Sequence, residues 1–158
     1  MIDNPPSIEL FCSEFSRLAE IVDVPADYIS GCVVTQNVQG LRISVTPDGG
    51  RYVLTYKEKY DVHTVAESAD RDIVLEHAFI DITGNMAASQ MSNVNSEDAL
   101  FVDPNLSTDE LKQMAVQHHL QLSAEQEKLL GRINRDWQKR QAVRNVQQLT
   151  LIEKFFEK

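Results

Sequence analysis

Apolar positions fall into three kinds of spacing along the chain, and each kind predicts a different element. Ile8, Phe11, Cys12, Phe15, Leu18, Ala19 and Val22 recur at helical intervals after Ser7, a residue suited to an N-cap. They predict an amphipathic helix over 7–23, closed by Val24-Pro25 because the residue before proline leaves the α region. Cys32, Val33 and Val34 can begin a short edge strand, followed by a connection from Gln36 to Gly40. From Leu41 the period is two. Leu41, Ile43 and Val45 alternate with Arg42, Ser44 and Thr46, and Tyr52, Leu54 and Tyr56 alternate with Val53, Thr55 and Lys57. Between them Pro47-Asp48-Gly49-Gly50 supplies a hairpin turn. Val62, Thr64 and Ala66 continue the alternation into a third strand, completing a sheet over 41–67.

The period then returns to helical. Ile73, Val74, Leu75, Phe79, Ile80, Ile82, Met86, Ala87 and Met91 surround most of a helix over 70–91, which predicts burial between layers. Gly84 inside it implies a close approach or a break. Ser92 to Asn105 breaks the pattern and reads as an acidic loop over 92–106, whose Leu100-Phe101-Val102 needs cover. Two capping-box matches, Ser107–Glu110 and Ser123–Gln126, and a cap at Asn134 predict helices filling 107–158. Ala142, Val146, Leu149, Ile152 and Phe156 form the apolar stripe of the last one. The expected fold is therefore α+β in a single domain: an N-terminal helix, a three-stranded antiparallel sheet, a buried helix, and an all-helical C-terminal third.

Charge adds direction. The formal net charge is −9, an unfavourable balance for nucleic acid or an anionic membrane and a favourable one for a basic partner. Residues 61–110 alone carry −10, residues 1–30 carry −5, and residues 31–60 and 111–158 carry +2 and +4. Asp61, Glu67, Asp70, Asp72, Glu97, Asp98 and Asp103 are the candidate partner-binding acids in that segment. The chain starts without the basic region and apolar run of a signal peptide and has no apolar run long enough for a bilayer, so a cytoplasmic location is expected. Cys12 and Cys32 lack metal or redox spacing, and two reduced, buried thiols are expected.

Candidate chemistry is sparse. Adjacent His118 and His119 point about 100° apart on a helix and cannot share an ion. Asp70, Asp72 and Glu76 could collect Mg²⁺, though acids in a first helical turn also serve the dipole. His77 and Asp81, four apart, read as a mutually satisfied polar pair before an acid–base pair. Arg132, Arg135, Lys139, Arg140 and Arg144 read as a solvated helix face. No catalytic residue, metal or cofactor is expected, and the chain reads as a binding protein rather than an enzyme.

Two segments taken together carry a resemblance. Gly49-Gly50-Arg51-Tyr52-Val53-Leu54 leads to Phe79-Ile80-Asp81-Ile82-Thr83 and Met86-Ala87-Ala88, and Leu129-Leu130-Gly131-Arg132-Ile133 precedes Trp137. Over roughly residues 41–145 this resembles the sixty-third immunity-protein family of bacterial polymorphic-toxin systems. The resemblance implies a cytoplasmic antidote, monomer or homodimer, that binds a co-encoded toxin domain and blocks it. The alternative is an acidic secretion or assembly chaperone, which would return to strands near its end.

Overall fold

The computed structural model describes residues 5–24, 29–30, 33–36, 39–94 and 105–157, with the backbone alone described at 29–30, 33–36, 39 and 91–94. The architecture is α+β, with an N-terminal helix, an antiparallel sheet and a helical C-terminal part. It divides into two compact units, Met1–Ile82 and Thr83–Lys158.

The first unit opens with α1 (Ile8–Ile21), whose N-cap Ser7 accepts from the Leu10 N–H. Phe11, Phe15, Leu18 and Ala19 form its buried stripe, as the spacing requires. The helix stops because Asp23 takes φ +54° and turns the chain back. Its N–H donates to the Glu20 carbonyl and that of Val24 to the Ala19 carbonyl, a pair of bonds that satisfies the last turn. Cys12 is disulfide-bonded, so the expected free thiol is corrected; the sequence holds one other cysteine, Cys32, outside the described residues. Spacing could not show this, because a disulfide depends on what the fold brings together.

Five strands follow in chain order: β1 (Ile29–Ser30), β2 (Val33–Gln36), β3 (Gln39–Val45), β4 (Tyr52–Glu58) and β5 (Asp61–Ser68), each antiparallel to the next. The β3–β4 register places Leu41 opposite Tyr56, Ile43 opposite Leu54 and Val45 opposite Tyr52. Leu41, Tyr52 and Leu54 are buried, which makes this the core face. The turn joining the two strands is held by Asp48. Its carboxylate accepts from the Thr46 hydroxyl (2.6 Å) and the Gly50 N–H (3.0 Å), which holds it below its usual pKa range. Gly49 takes φ +74°, where a side chain would be strained.

β5 corrects the sequence reading in one detail. Leu54 pairs with Ala66 but Thr55 pairs with Thr64, so Val65 is an extra residue, a bulge. A one-residue insertion reverses the facing of everything beyond it. Val62 and Thr64 therefore share the outer face with Lys57 and Thr55, whereas Ala66 lies with Leu54 on the core face.

α2 (Arg71–Val94) runs unbroken through the division between the units. In the first unit it buries Val74, Leu75, Ala78, Phe79 and Ile82. It is not apolar-buried all round, as expected from composition: Ile73 is 45% exposed, while Glu76 is buried. Four rings fill this core. Phe15 lies 5.2 Å from Phe79 and 6.4 Å from Phe11, and Phe11 lies 5.6 Å from Tyr52.

In the second unit α3 (Thr108–Ile133) and α4 (Arg135–Phe156) form a helical hairpin about the single residue Asn134. α3 starts with a reciprocal capping box: the Ser107 N–H donates to Glu110 and the Glu110 N–H to Ser107. The second capping-box match opens no helix. Ser123 is buried inside α3, where no proline or glycine interrupts the preceding turns, and its hydroxyl sits 3.4 Å from His119 Nε2. Asn134 caps α4 as its sequence suggests, accepting from the Asp136 and Trp137 N–H groups. The buried positions of α4 are Trp137, Gln141 and Asn145, not the expected stripe through Val146, which is 63% exposed. Polar pairing makes this tolerable. Gln141 Nε2 donates to Asn145 Oδ1 (3.0 Å), Arg144 donates to Gln141 Oε1 (3.1 Å), and His119 Nε2 donates to the Asn145 carbonyl (2.8 Å). Gly84 is a close approach rather than a break: a Cβ there would stand 3.3 Å from Gln126 Nε2.

Candidate partner-binding surface

β5 ends the sheet, and among the described residues no strand pairs with its outer edge. A free edge exposes backbone N–H and C=O groups that can bond a further strand. Asp61, Val62, His63 and Thr64 are all exposed, and Val62 keeps 59% of its surface. The preceding turn, Lys59-Tyr60, adds a left-handed Lys59 (φ +53°) and a Tyr60 that is 99% exposed. Tyrosine is among the residues that anchor interfaces, and sequence periodicity passed over this one because a turn residue belongs to no stripe.

Of the seven acids expected to bind a partner, four lie within the described structure, all exposed. Asp61 opens β5 opposite Glu58, and Glu67 lies near its end opposite Val53. The bulge between them puts the two carboxylates on opposite faces, so they frame the edge instead of forming one patch. Asp70 caps α2: its Oδ1 accepts from the Asp72 N–H (2.9 Å), and its own N–H donates to the Ser68 hydroxyl (3.0 Å). Asp72 stands in the first turn of α2, 3.8 Å from Arg71 Nε. Glu97, Asp98 and Asp103 lie outside the described residues, as does Leu100-Phe101-Val102.

Beside Asp70 is a shallow hollow of about 320 Å³ lined by Leu10, Tyr52, Ala69, Asp70, Arg71 and Asp72. The Tyr52 hydroxyl accepts from the Ser7 N–H (3.0 Å), and Arg71 Nε is buried with no hydrogen-bond partner. Two carboxylates beside one guanidinium give this hollow no net attraction for an anion.

Two titratable groups are perturbed behind the strand. Asp81 is half-buried on α2, and burial pushes its carboxyl above the ordinary 3.8. Tyr56, whose ring lies 5.6 Å from that of His63, has its hydroxyl pushed up by burial and then by the negative charges of Asp81 and Glu58. His77 is half-buried one turn before Asp81. No group of three histidine, cysteine, aspartate or glutamate side chains able to hold a metal occurs among the described residues, Asp70, Asp72 and Glu76 included. His118 is exposed and His119 is tied to α4, so the pair does not converge on an ion. Among the described residues no helix is long and apolar enough to cross a membrane.

What this arrangement can do is recognition: an exposed strand edge with an aromatic at one end and carboxylates at both. Comparison with protein-family models, with curated proteins and with solved structures finds no match to this chain.

Proposed function

We propose that the chain is a bacterial immunity protein that binds a co-encoded toxin and neutralises it by direct protein–protein contact. The observation that carries the reading to a surface is the acidic, unpaired edge of β5. An extended basic segment of the toxin pairs with that edge, main-chain bonds giving affinity and side chains giving specificity. Glu58, Asp61, Glu67, Asp70 and Asp72 provide the field that draws it in, and such steering raises association rates by roughly 10–10³-fold. The protein acts as a binder and not as an enzyme, without cofactor, nucleic acid or membrane. The resemblance of the hairpin, of α2 and of the Leu129–Trp137 motif supports the same reading. A chaperone would return to strands, and the described residues after Asn105 are helical, which favours immunity.

The test is to express each open reading frame beside this one, alone and with this protein. One neighbour should kill alone, be harmless in its presence and co-purify with it. If no neighbour is toxic, or the toxic one is neither neutralised nor bound, the reading fails. Asp61→Lys with Glu67→Lys should then weaken the complex and flatten its salt dependence; unchanged binding would remove β5 from the interface.

A further inference from the structure

The hairpin that β5 makes with β4 decides which of its backbone groups face outward. Glu58 and Asp61 pair across the turn Lys59-Tyr60, and a turn this short requires them to exchange both of their main-chain bonds. Antiparallel pairs alternate between bonded and non-bonded, so His63 bonds to Tyr56. Val62 and Thr64, in the non-bonded pairs, turn their N–H and C=O groups away from β4. The edge thus offers two donors and two acceptors before Val65, where the bulge displaces the repeat. Both residues are exposed, and among the described residues no strand lies beyond them.

The two faces of this edge differ in charge, because paired residues share a face. On one face Asp61 stands opposite Glu58, and His63 stands opposite Tyr56, whose hydroxyl lies in the field of Asp81 and Glu58. On the other face Val62 stands opposite Lys57 and Thr64 opposite Thr55, with Arg42 of β3 behind and Glu67 beyond the bulge. A cation is drawn to the first face and repelled at the second. On the reading that β5 receives the toxin, we propose that the incoming strand alternates, with arginine or lysine beside Asp61 and His63 and uncharged β-branched residues beside Val62 and Thr64. Its cations meet the carboxylates of Asp61 and Glu58, and its β-branched side chains cover Val62, which is 59% exposed. A basic segment with contiguous charges would instead place half of them over Lys57 and Arg42. The period of two holds for either direction of the incoming strand.

The probe is a terminally blocked peptide of about eight residues in which arginine alternates with valine and threonine, added to the full chain and followed by amide NMR. The Val62 and Thr64 N–H signals should move more than that of His63, because only the first two donors gain a partner. The alternating peptide should bind at least about fivefold more tightly than one of the same composition with its arginines consecutive. Asp61→Lys should weaken the alternating peptide about tenfold, and Thr64→Pro, which removes an outward donor and leaves the β4 ladder bonded, by at least as much. Lys57→Glu, which makes the second face acidic, should bring the consecutive peptide close to the alternating one. Equal affinity of the unmutated chain for the two peptides overturns the proposal, and so does an undisturbed Val62 and Thr64 at about 1 mM peptide. Both of those outcomes are read without any variant, so a misfolded Thr64→Pro leaves the test standing. Co-expression judges the immunity reading separately: a toxic neighbour neutralised through another surface would keep that reading while the peptides fail.

Discussion

The Phe15–Phe79 contact offers a measurement of what holds α1, the sheet and α2 together in the first unit. Both rings are fully buried, their centroids are 5.2 Å apart and they tilt by 34°. Alanine at either site would cost about 3–5 kcal/mol, enough to threaten a fold whose total stability is on the order of 5–15 kcal/mol. Leucine keeps most of the volume, so Phe15→Leu and Phe79→Leu should each cost about 1–2 kcal/mol through imperfect repacking and loss of the ring pair. Because the pair itself is worth about 0.5–1.5 kcal/mol, the double variant should cost less than the sum of the singles by about that amount. Urea unfolding followed by far-ultraviolet circular dichroism gives all four stabilities. At slopes of about 1–3 kcal/mol per molar, each single should move the midpoint down by roughly 0.5–1 M. Phe155→Leu is the control. Its ring also stands 5.2 Å from a neighbour, Phe156, but it is 72% exposed, and its loss should cost less than about 0.5 kcal/mol. Single costs below about 0.5 kcal/mol, or strict additivity in the cycle, would refute the claim that these buried rings act as one packed unit.

Four further outcomes follow from the geometry. Burial raises the folded-state pKa of Asp81, so its stability contribution is present below about its unfolded value and is lost as pH rises through the folded one; Asp81→Asn should therefore raise the urea midpoint at pH 7 and do so much less at about pH 3.5. A leucine at Gly84 must displace the buried Gln126 amide, so Gly84→Leu should lower stability by about 1–3 kcal/mol, read as a drop in thermal midpoint. Asn134→Ala removes both cap bonds at the start of α4 and should cost about 1 kcal/mol, visible in the unfolding of Trp137, the only tryptophan. Unfolded in denaturant without reductant, the purified protein should show no reactive thiol, and both cysteines should react after reduction; a reactive Cys12 in the first sample would contradict the disulfide.

How much of this was legible depends on whether the deciding physics is local. α1, the β3–β4 turn, α2 and the caps at Ser107 and Asn134 rest on spacing and short-range bonding, and they stand where the sequence places them. The misreadings share a different cause. Ser123 carries a start signal that a continuing helix overrides, because its hydroxyl finds His119 instead of a free N–H. α4 hides Gln141 and Asn145 and exposes Val146, since those two amides bond each other and meet Gln126 and His119 of the facing helix, contacts that the apolar spacing of α4 does not encode. The extra residue at Val65 leaves an alternating sequence looking regular while reversing which side each residue faces. The strands before Gln39 were only faintly marked, as two short segments with a weak apolar run.

That bulge also decides what the acids of the candidate surface can mean. Strict alternation over 61–67 would put Asp61 and Glu67 on one face, a patch with a single direction; the insertion sends them to opposite faces and leaves the strand's backbone edge as the feature they have in common. Asp70 does not belong with them in the same way, because its carboxylate already bonds the Asp72 N–H and holds the first turn of α2. Reversing Asp70 would lose a cap and a charge together, and a weaker complex could then come from either loss. Asp61 and Glu67 make no such helix-starting bond. Charge reversal there separates recognition from folding, so any surviving salt dependence of the proposed complex must be assigned to acids elsewhere in the chain.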